Sequence, residues 1–81
     1  MIIKPLRIDL ATYLKKHQLV KKFDKAKILL EQDISHPSLN VELLEPKRLK
    51  TYSFRLDLKY RALFIVVNGD IEIIAITNHY R

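Results

Sequence analysis

Tyr52-Ser-Phe-Arg-Leu-Asp-Leu-Lys-Tyr60-Arg-Ala-Leu-Phe-Ile-Val-Val-Asn68-Gly-Asp-Ile-Glu-Ile-Ile-Ala-Ile-Thr77 carries the clearest pattern in the chain. Tyr52, Phe54, Leu56 and Leu58 alternate with Ser53, Arg55, Asp57 and Lys59, the period-two signature of a strand with one wet face. Tyr60 to Val67 is rich in β-branched and aromatic residues and predicts a second strand. Asn68-Gly69 holds the only glycine of the chain. Both residues tolerate positive φ, so Asn-Gly between apolar runs predicts a tight hairpin turn. Ile71 to Thr77 then forms the third strand.

Upstream the period changes. Leu10, Ala11 and Leu14 give an apolar helical face over about Asp9–His17, with Asp9 as the expected N-cap. Leu19, Phe23, Ala26 and Leu30 give a second helix over about Leu19–Asp33, joined to the first by a turn near Gln18. Ser35-His36-Pro37-Ser38 stops it, because proline disfavours helix at the preceding residue. Leu39 to Lys50 reads as an extended connection, and Met1-Ile2-Ile3 as a short N-terminal strand ended by Pro5. The expected class is α+β, a helical hairpin packed on one face of a small antiparallel sheet in the order α-α-β-β-β. With 81 residues the whole chain, 1–81, reads as a single domain.

The chain has no cysteine, which removes disulfides and thiolate metal sites, and no two histidines stand at ligand spacing. A single glycine excludes a glycine-rich phosphate loop. Neither a metal nor a cofactor is expected. No leader sequence is visible, and the longest uncharged run, Ala62 to Gly69, is too short to span a bilayer, so a cytoplasmic protein without a membrane partner is expected.

The net charge is +6 and unevenly spread. Residues 1–30 hold eight Lys/Arg against two Asp, residues 31–45 hold four acids and no base, and residues 46–61 hold six bases against Asp57. Such patches favour a polyanionic partner, nucleic acid first. Lys15, Lys16, Lys21, Lys22 and Lys25 fit equally well as solubilising charges on a helix surface. Arg55 and Arg61 do not, since they interrupt apolar strands. In an antiparallel meander the start of the second strand lies beside the end of the third, which makes Arg61 a neighbour of the terminal His79-Tyr80. A simple two-residue turn would put Arg61 opposite Ile76 and on the face of Tyr80. A bulge would exchange Tyr80 for His79.

Arginine, histidine and a carboxylate suit metal-free RNA cleavage. Guanidinium groups stabilise phosphorane charge, and imidazole or carboxylate moves the proton. Glu42 and Glu45 supply the carboxylate, and Lys47, Arg48, Lys50, Lys59 and Arg81 further cations for RNA backbone. Each has a plainer reading. The two glutamates could be solvated, Arg55 could pair with Asp57, His17 has no partner suggested by spacing, and His36 fits a turn.

Four pieces in order, Tyr52-Ser53-Phe54-Arg55, Tyr60-Arg61, Asn68-Gly69 and Asn78-His79-Tyr80, with the upstream step His36-Pro37-Ser38-Leu39, resemble the RelE/ParE toxin superfamily over essentially the whole chain. The His79-Tyr80 ending is most similar to the YoeB/Txe branch of ribosome-dependent mRNA endonucleases. The resemblance implies a toxin held by a cognate antitoxin and acting on mRNA at the ribosome. It carries the active-site roles onto Glu42, Arg61, His79 and Tyr80, with Arg55 as a phosphate contact. Glu45-Pro46 also resembles the branch's Glu-Pro step, so Glu45 stands as the alternative acid/base. Arg81 departs from the pattern by following the usual terminal tyrosine. A ParE-type poison of DNA gyrase and an inactive nucleic-acid-binding relative share the same fold, and self-association as a homodimer is compatible with it.

Overall fold

A computed structural model of the chain describes residues 1–78. Two helices, α1 (Ile8–Lys16) and α2 (Val20–Gln32), pack on one face of an antiparallel sheet of four strands. The strands are β1 (Glu42–Leu43), β2 (Tyr52–Arg55), β3 (Arg61–Val67) and β4 (Asp70–Thr77), in spatial order β1-β2-β3-β4. Among the described residues no helix is long and apolar enough to cross a membrane.

The helical hairpin turns at Gln18, whose φ of 57° is left-handed. The Leu19 amide donates back to the Leu14 carbonyl at 2.8 Å, and Leu19 itself is buried, which closes α1 in a Schellman-type ending. Leu10 and Leu14 of α1 and Phe23, Ala26 and Leu30 of α2 form the buried stripe. Asp9 does not cap α1. The helix starts one residue earlier than expected, with Arg7 at the cap position, and the Asp9 carboxylate instead takes both Arg7 Nε and Nη2 at 3.0 Å.

The sheet meets the helices through Phe54, Ala62, Phe64, Ile71 and Ile73. Phe54 lies 5.9 Å from Phe64 and 6.4 Å from Phe23, centroid to centroid, and Tyr52 stacks on Phe64 at 5.4 Å. Aromatic contacts of this kind carry much of a small core. The hairpin turn falls at Asn68 (φ 53°) and Gly69 (φ 84°), with Val67 opposite Asp70. Between Leu63↔Ala75 and Phe64↔Ile73 the register shifts, leaving Ile74 as an extra residue in β4. This bulge sets Arg61 opposite Thr77 and not Ile76.

Three boundaries differ from the sequence pattern for identifiable reasons. β2 stops at Arg55, because Asp57 closes a turn. Its Oδ1 accepts the Lys59 and Tyr60 amides at 2.8 and 2.7 Å, and Leu58 is left exposed. The connection 39–50 is not simply extended. It opens on the last residue of a 3₁₀ turn at Pro37–Leu39 and holds a second such turn at Lys47–Leu49 and the two-residue strand β1, paired to β2 at Glu42↔Ser53 and Leu43↔Tyr52. The N-terminal strand is reduced to one parallel bridge, Ile3↔Ile71, flanked by Lys4 N–H to Ile71 C=O and Ile71 N–H to Ile2 C=O at 2.8 Å.

Burial works to raise the Asp57 carboxyl's pKa, but the Lys22 ammonium at 2.7 Å and the Tyr60 and Lys59 amides outweigh it and hold the group below the usual aspartate value. A depressed folded value stabilises the fold above the ordinary aspartate range, and that contribution disappears as pH falls through the folded value. Urea titrations should therefore show wild-type stability falling as the medium is acidified below about pH 4, with a flatter dependence in Asp57→Asn. Asp57→Ala at neutral pH should cost about 1–3 kcal/mol, the range for hydrogen bonds to a charged group. Phe64→Ala should cost about 3–5 kcal/mol.

Candidate functional site

Strand alternation places Glu42, Ser53, Arg61, Leu63 and Thr77 on the sheet face away from the helices. With Leu44 they line a depression of about 250 Å³. Arg61 is its centre. The side chain retains only 12% of its exposure, while that of Glu42 retains 55%. Arg61 Nε donates to Ser53 Oγ at 3.0 Å, and Nη2 donates to the Asn40 carbonyl at 2.6 Å. That carbonyl belongs to a left-handed residue (φ 46°) ending the first 3₁₀ turn. Glu42 Oε1 stands 3.9 Å from Nη2, as an ion pair without a hydrogen bond. A guanidinium has five N–H groups. The three left after these two bonds have no hydrogen-bond partner among the described residues.

Burial pushes the Arg61 pKa below its usual value; Glu42 opposes the shift and Arg55 adds to it. Arg61 still carries its charge, since arginine does not titrate near neutrality. Arg55 and Arg61 are direct cross-strand partners. Like charges opposite each other destabilise a sheet. The fold holds the two arginines together against that cost, with Arg61 anchored by Ser53 and Asn40.

The residues expected from the sequence separate into groups. Glu42 and Arg61 meet in the depression, with Thr77 beside them. Glu45 is exposed and takes no part in the lining. Lys47, Arg48 and Lys50 lie on and after the second 3₁₀ turn, beyond the far end of β2. The four residue steps from Arg55 to Thr51 already amount to roughly 13 Å of strand. Lys59 sits in the Asp57 turn at the Arg61 end, 6.0 Å over the Tyr60 ring. Arg55 is exposed and does not pair with Asp57, whose partner is Lys22. His79, Tyr80 and Arg81 lie outside the described residues.

The sequence did not single out Ser53 or Asn40 as parts of the site. Ser53 is 2% exposed on a face that otherwise meets water, because the Arg61 side chain covers it. Its signal was a serine between two aromatics in a strand, two residues before an arginine. Asn40 acts through its backbone, which leaves no side-chain pattern to read. Tyr60 faces the helices, with its hydroxyl 3.3 Å from His17 Nδ1 and its ring 6.2 Å from that of Tyr13. His17 thus has a partner 43 residues away.

No protein-family model matches the sequence, and no curated protein matches it significantly. Solved structures do match its fold. A YoeB/ParE toxin from Agrobacterium tumefaciens superposes with a TM-score of 0.72 at 16% identity, covering 98% of this chain and 96% of that one. A chain of a heterotetrameric YoeB–YefM toxin–antitoxin complex from Staphylococcus aureus gives 0.70 at 20% identity, covering 98% of this chain and 94% of that one. A YoeB dimer from Staphylococcus aureus gives 0.66 at 20% identity over the same shares. The α+β fold expected from the sequence is the fold of this chain, shared with these YoeB and YoeB/ParE toxin structures.

Removing the Ser53 hydroxyl releases Arg61 Nε. Ser53→Ala should cost about 1–2 kcal/mol, and the Arg61 Nε–H resonance, protected in the wild type, should broaden or exchange in the variant by NMR.

Proposed function

We propose that the chain, read as one domain over 1–81, is the toxin component of a type II toxin–antitoxin system and a metal-independent endoribonuclease acting on mRNA, with the ribosome as the place of action. The observation that carries this reading is the Glu42–Arg61 pair, 3.9 Å apart in an open depression on the uncovered sheet face. A mostly covered, doubly anchored guanidinium beside an exposed carboxylate suits a phosphate with a base at its rim. The fold likeness to toxins solved with and without an antitoxin supports the same reading.

In this mechanism the ribose 2′-hydroxyl gives its proton to Glu42 and its oxygen attacks the adjacent phosphorus. The bond from phosphorus to the 5′-oxygen breaks, and His79 in its imidazolium form protonates that leaving oxygen. The products are a 2′,3′-cyclic phosphate and a 5′-hydroxyl. Arg61 stabilises the extra negative charge on the phosphorane-like transition state, helped by Arg55. Tyr80 positions the phosphate or stacks on a base. Two structural facts favour these assignments. Glu42, not Glu45, shares the depression with Arg61. The bulge at Ile74 puts Thr77, two residues before His79, on the Arg61 face.

Lys59 and Arg81 would contact flanking backbone, while Lys47, Arg48 and Lys50 would form a separate basic edge. No cofactor is required. The partner would be a cognate antitoxin with an acidic segment covering the basic surface, both proteins being cytoplasmic, and a homodimer is compatible with the fold.

Expression from a tightly repressed promoter should arrest growth and generate new 5′ ends in translated messages. Arg61→Ala and His79→Ala should each lower cleavage by roughly 10²-fold or more, the scale of losing a transition-state charge contact or a general acid. Glu42→Gln should do the same where Glu45→Gln does not. Arrest without RNA cuts, accompanied by gyrase inhibition, would replace the nuclease with a gyrase-poisoning toxin. No arrest from folded protein would leave an inactive nucleic-acid binder.

A further inference from the structure

A second depression, of about 240 Å³, lies between α2, the first 3₁₀ turn and the end of β2. Lys22, Lys25 and Arg55 stand on its rim with Ser38. Ala26, Leu39 and Leu56 form its floor, all three buried. Asp57 is paired to Lys22, so it leaves Lys25 and Arg55 as the uncommitted cations, neither in an ion pair among the described residues. Helical spacing brings Lys22 and Lys25 onto one side of α2. A charged rim over an aliphatic floor suits a ligand that is anionic at one end and flat and apolar at the other.

We infer that this pocket binds one nucleotide of a single-stranded RNA, its phosphate on Lys25 and Arg55 and its base against the aliphatic floor, next to the nucleotides held at Arg61. The inference rests on the phosphodiester reading of the Arg61 depression. Arg55 joins the two places. Its backbone is the cross-strand partner of Arg61, and at the end of β2 it is among the residues lining the second pocket. A strand whose reacting phosphate lies at Arg61 passes Arg55 and delivers a flanking nucleotide to Lys25. Basic grooves with surfaces for base packing hold single strands in this manner. An acidic peptide would satisfy the cations, but it makes no use of the aliphatic floor or of the continuity through Arg55. Part of the basic face of α2 is thereby a ligand site and not only a solubilising surface.

The test uses the full chain and a hexanucleotide with 2′-O-methyl groups at every position, which cannot be cut, beside a dinucleotide of the same chemistry. Lys25→Ala should weaken hexanucleotide binding roughly three- to tenfold and make its log–log salt slope shallower by about 0.7, the value for one phosphate contact on a single strand. Dinucleotide binding should not change. Lys21→Ala, which alters an exposed lysine of α2 outside the pocket, should change neither. Equal losses in Lys21→Ala and Lys25→Ala would overturn the pocket in favour of diffuse charge. An unchanged hexanucleotide affinity in Lys25→Ala, with polyglutamate binding lost, would overturn it in favour of an acidic protein segment. Failure of the wild type to bind the hexanucleotide at all would also overturn it. Lys25-dependent binding by a protein that cuts no RNA would keep the pocket and remove the nuclease. Cleavage with Lys25-independent binding would do the reverse.

Discussion

The burial of Phe54, Ala62 and Phe64 against the helices is the constraint on which the site depends. All three have zero exposure, and they alternate along two paired strands. Side chains in a strand change face at every residue, so a slip of one position would put the phenylalanines in water and the arginines in the core. The aromatic core thereby fixes where Ser53, Arg55, Arg61 and Leu63 must point. The same packing that stabilises the domain holds two like-charged groups side by side, an arrangement that local electrostatics alone would disperse.

The elements were legible where a period was long and unambiguous. α2, β3, β4 and the Asn68-Gly69 turn followed from side-chain spacing and from two residues tolerant of positive φ. Where the pattern misled, a specific polar contact intervened. Leu56 and Leu58 continue the alternation of β2, but the Asp57 carboxylate captures two amides and turns the chain. β1 spans two residues, too few to carry any period. Asp9 looked like a cap and serves as a partner for Arg7.

The site was legible in part. Arg61 stood out because a charged residue opened an apolar strand, and the resemblance to toxins gave it a partner in Glu42. That Glu42 and not Glu45 lies beside Arg61 follows from the two-residue pairing of β1 with β2, which ties Glu42 to Ser53. The face of the strand end required the bulge. An extra residue at Ile74 changes the parity of Ala75, Ile76 and Thr77, and such irregularities arise from three-dimensional crowding that no one-dimensional period records. The anchoring of Arg61 by a backbone carbonyl and a buried serine was invisible for a similar reason.

The bridge between Ile3 and Ile71 joins residues 68 positions apart, and the Ile3 amide also donates to Glu31 Oε2 at 2.8 Å. Ribosomes add about 5–20 residues per second, so Ile3 waits on the order of 3–14 s for its bridge partner to be made. β4 supplies both that partner and Thr77, the residue facing Arg61. Closure of the N-terminus and completion of the described part of the depression therefore wait on the same late event. Until then the helical hairpin can form, but its sheet is unfinished. Each molecule therefore passes through a stage in which the N-terminal bridge and the depression around Arg61 are both still open.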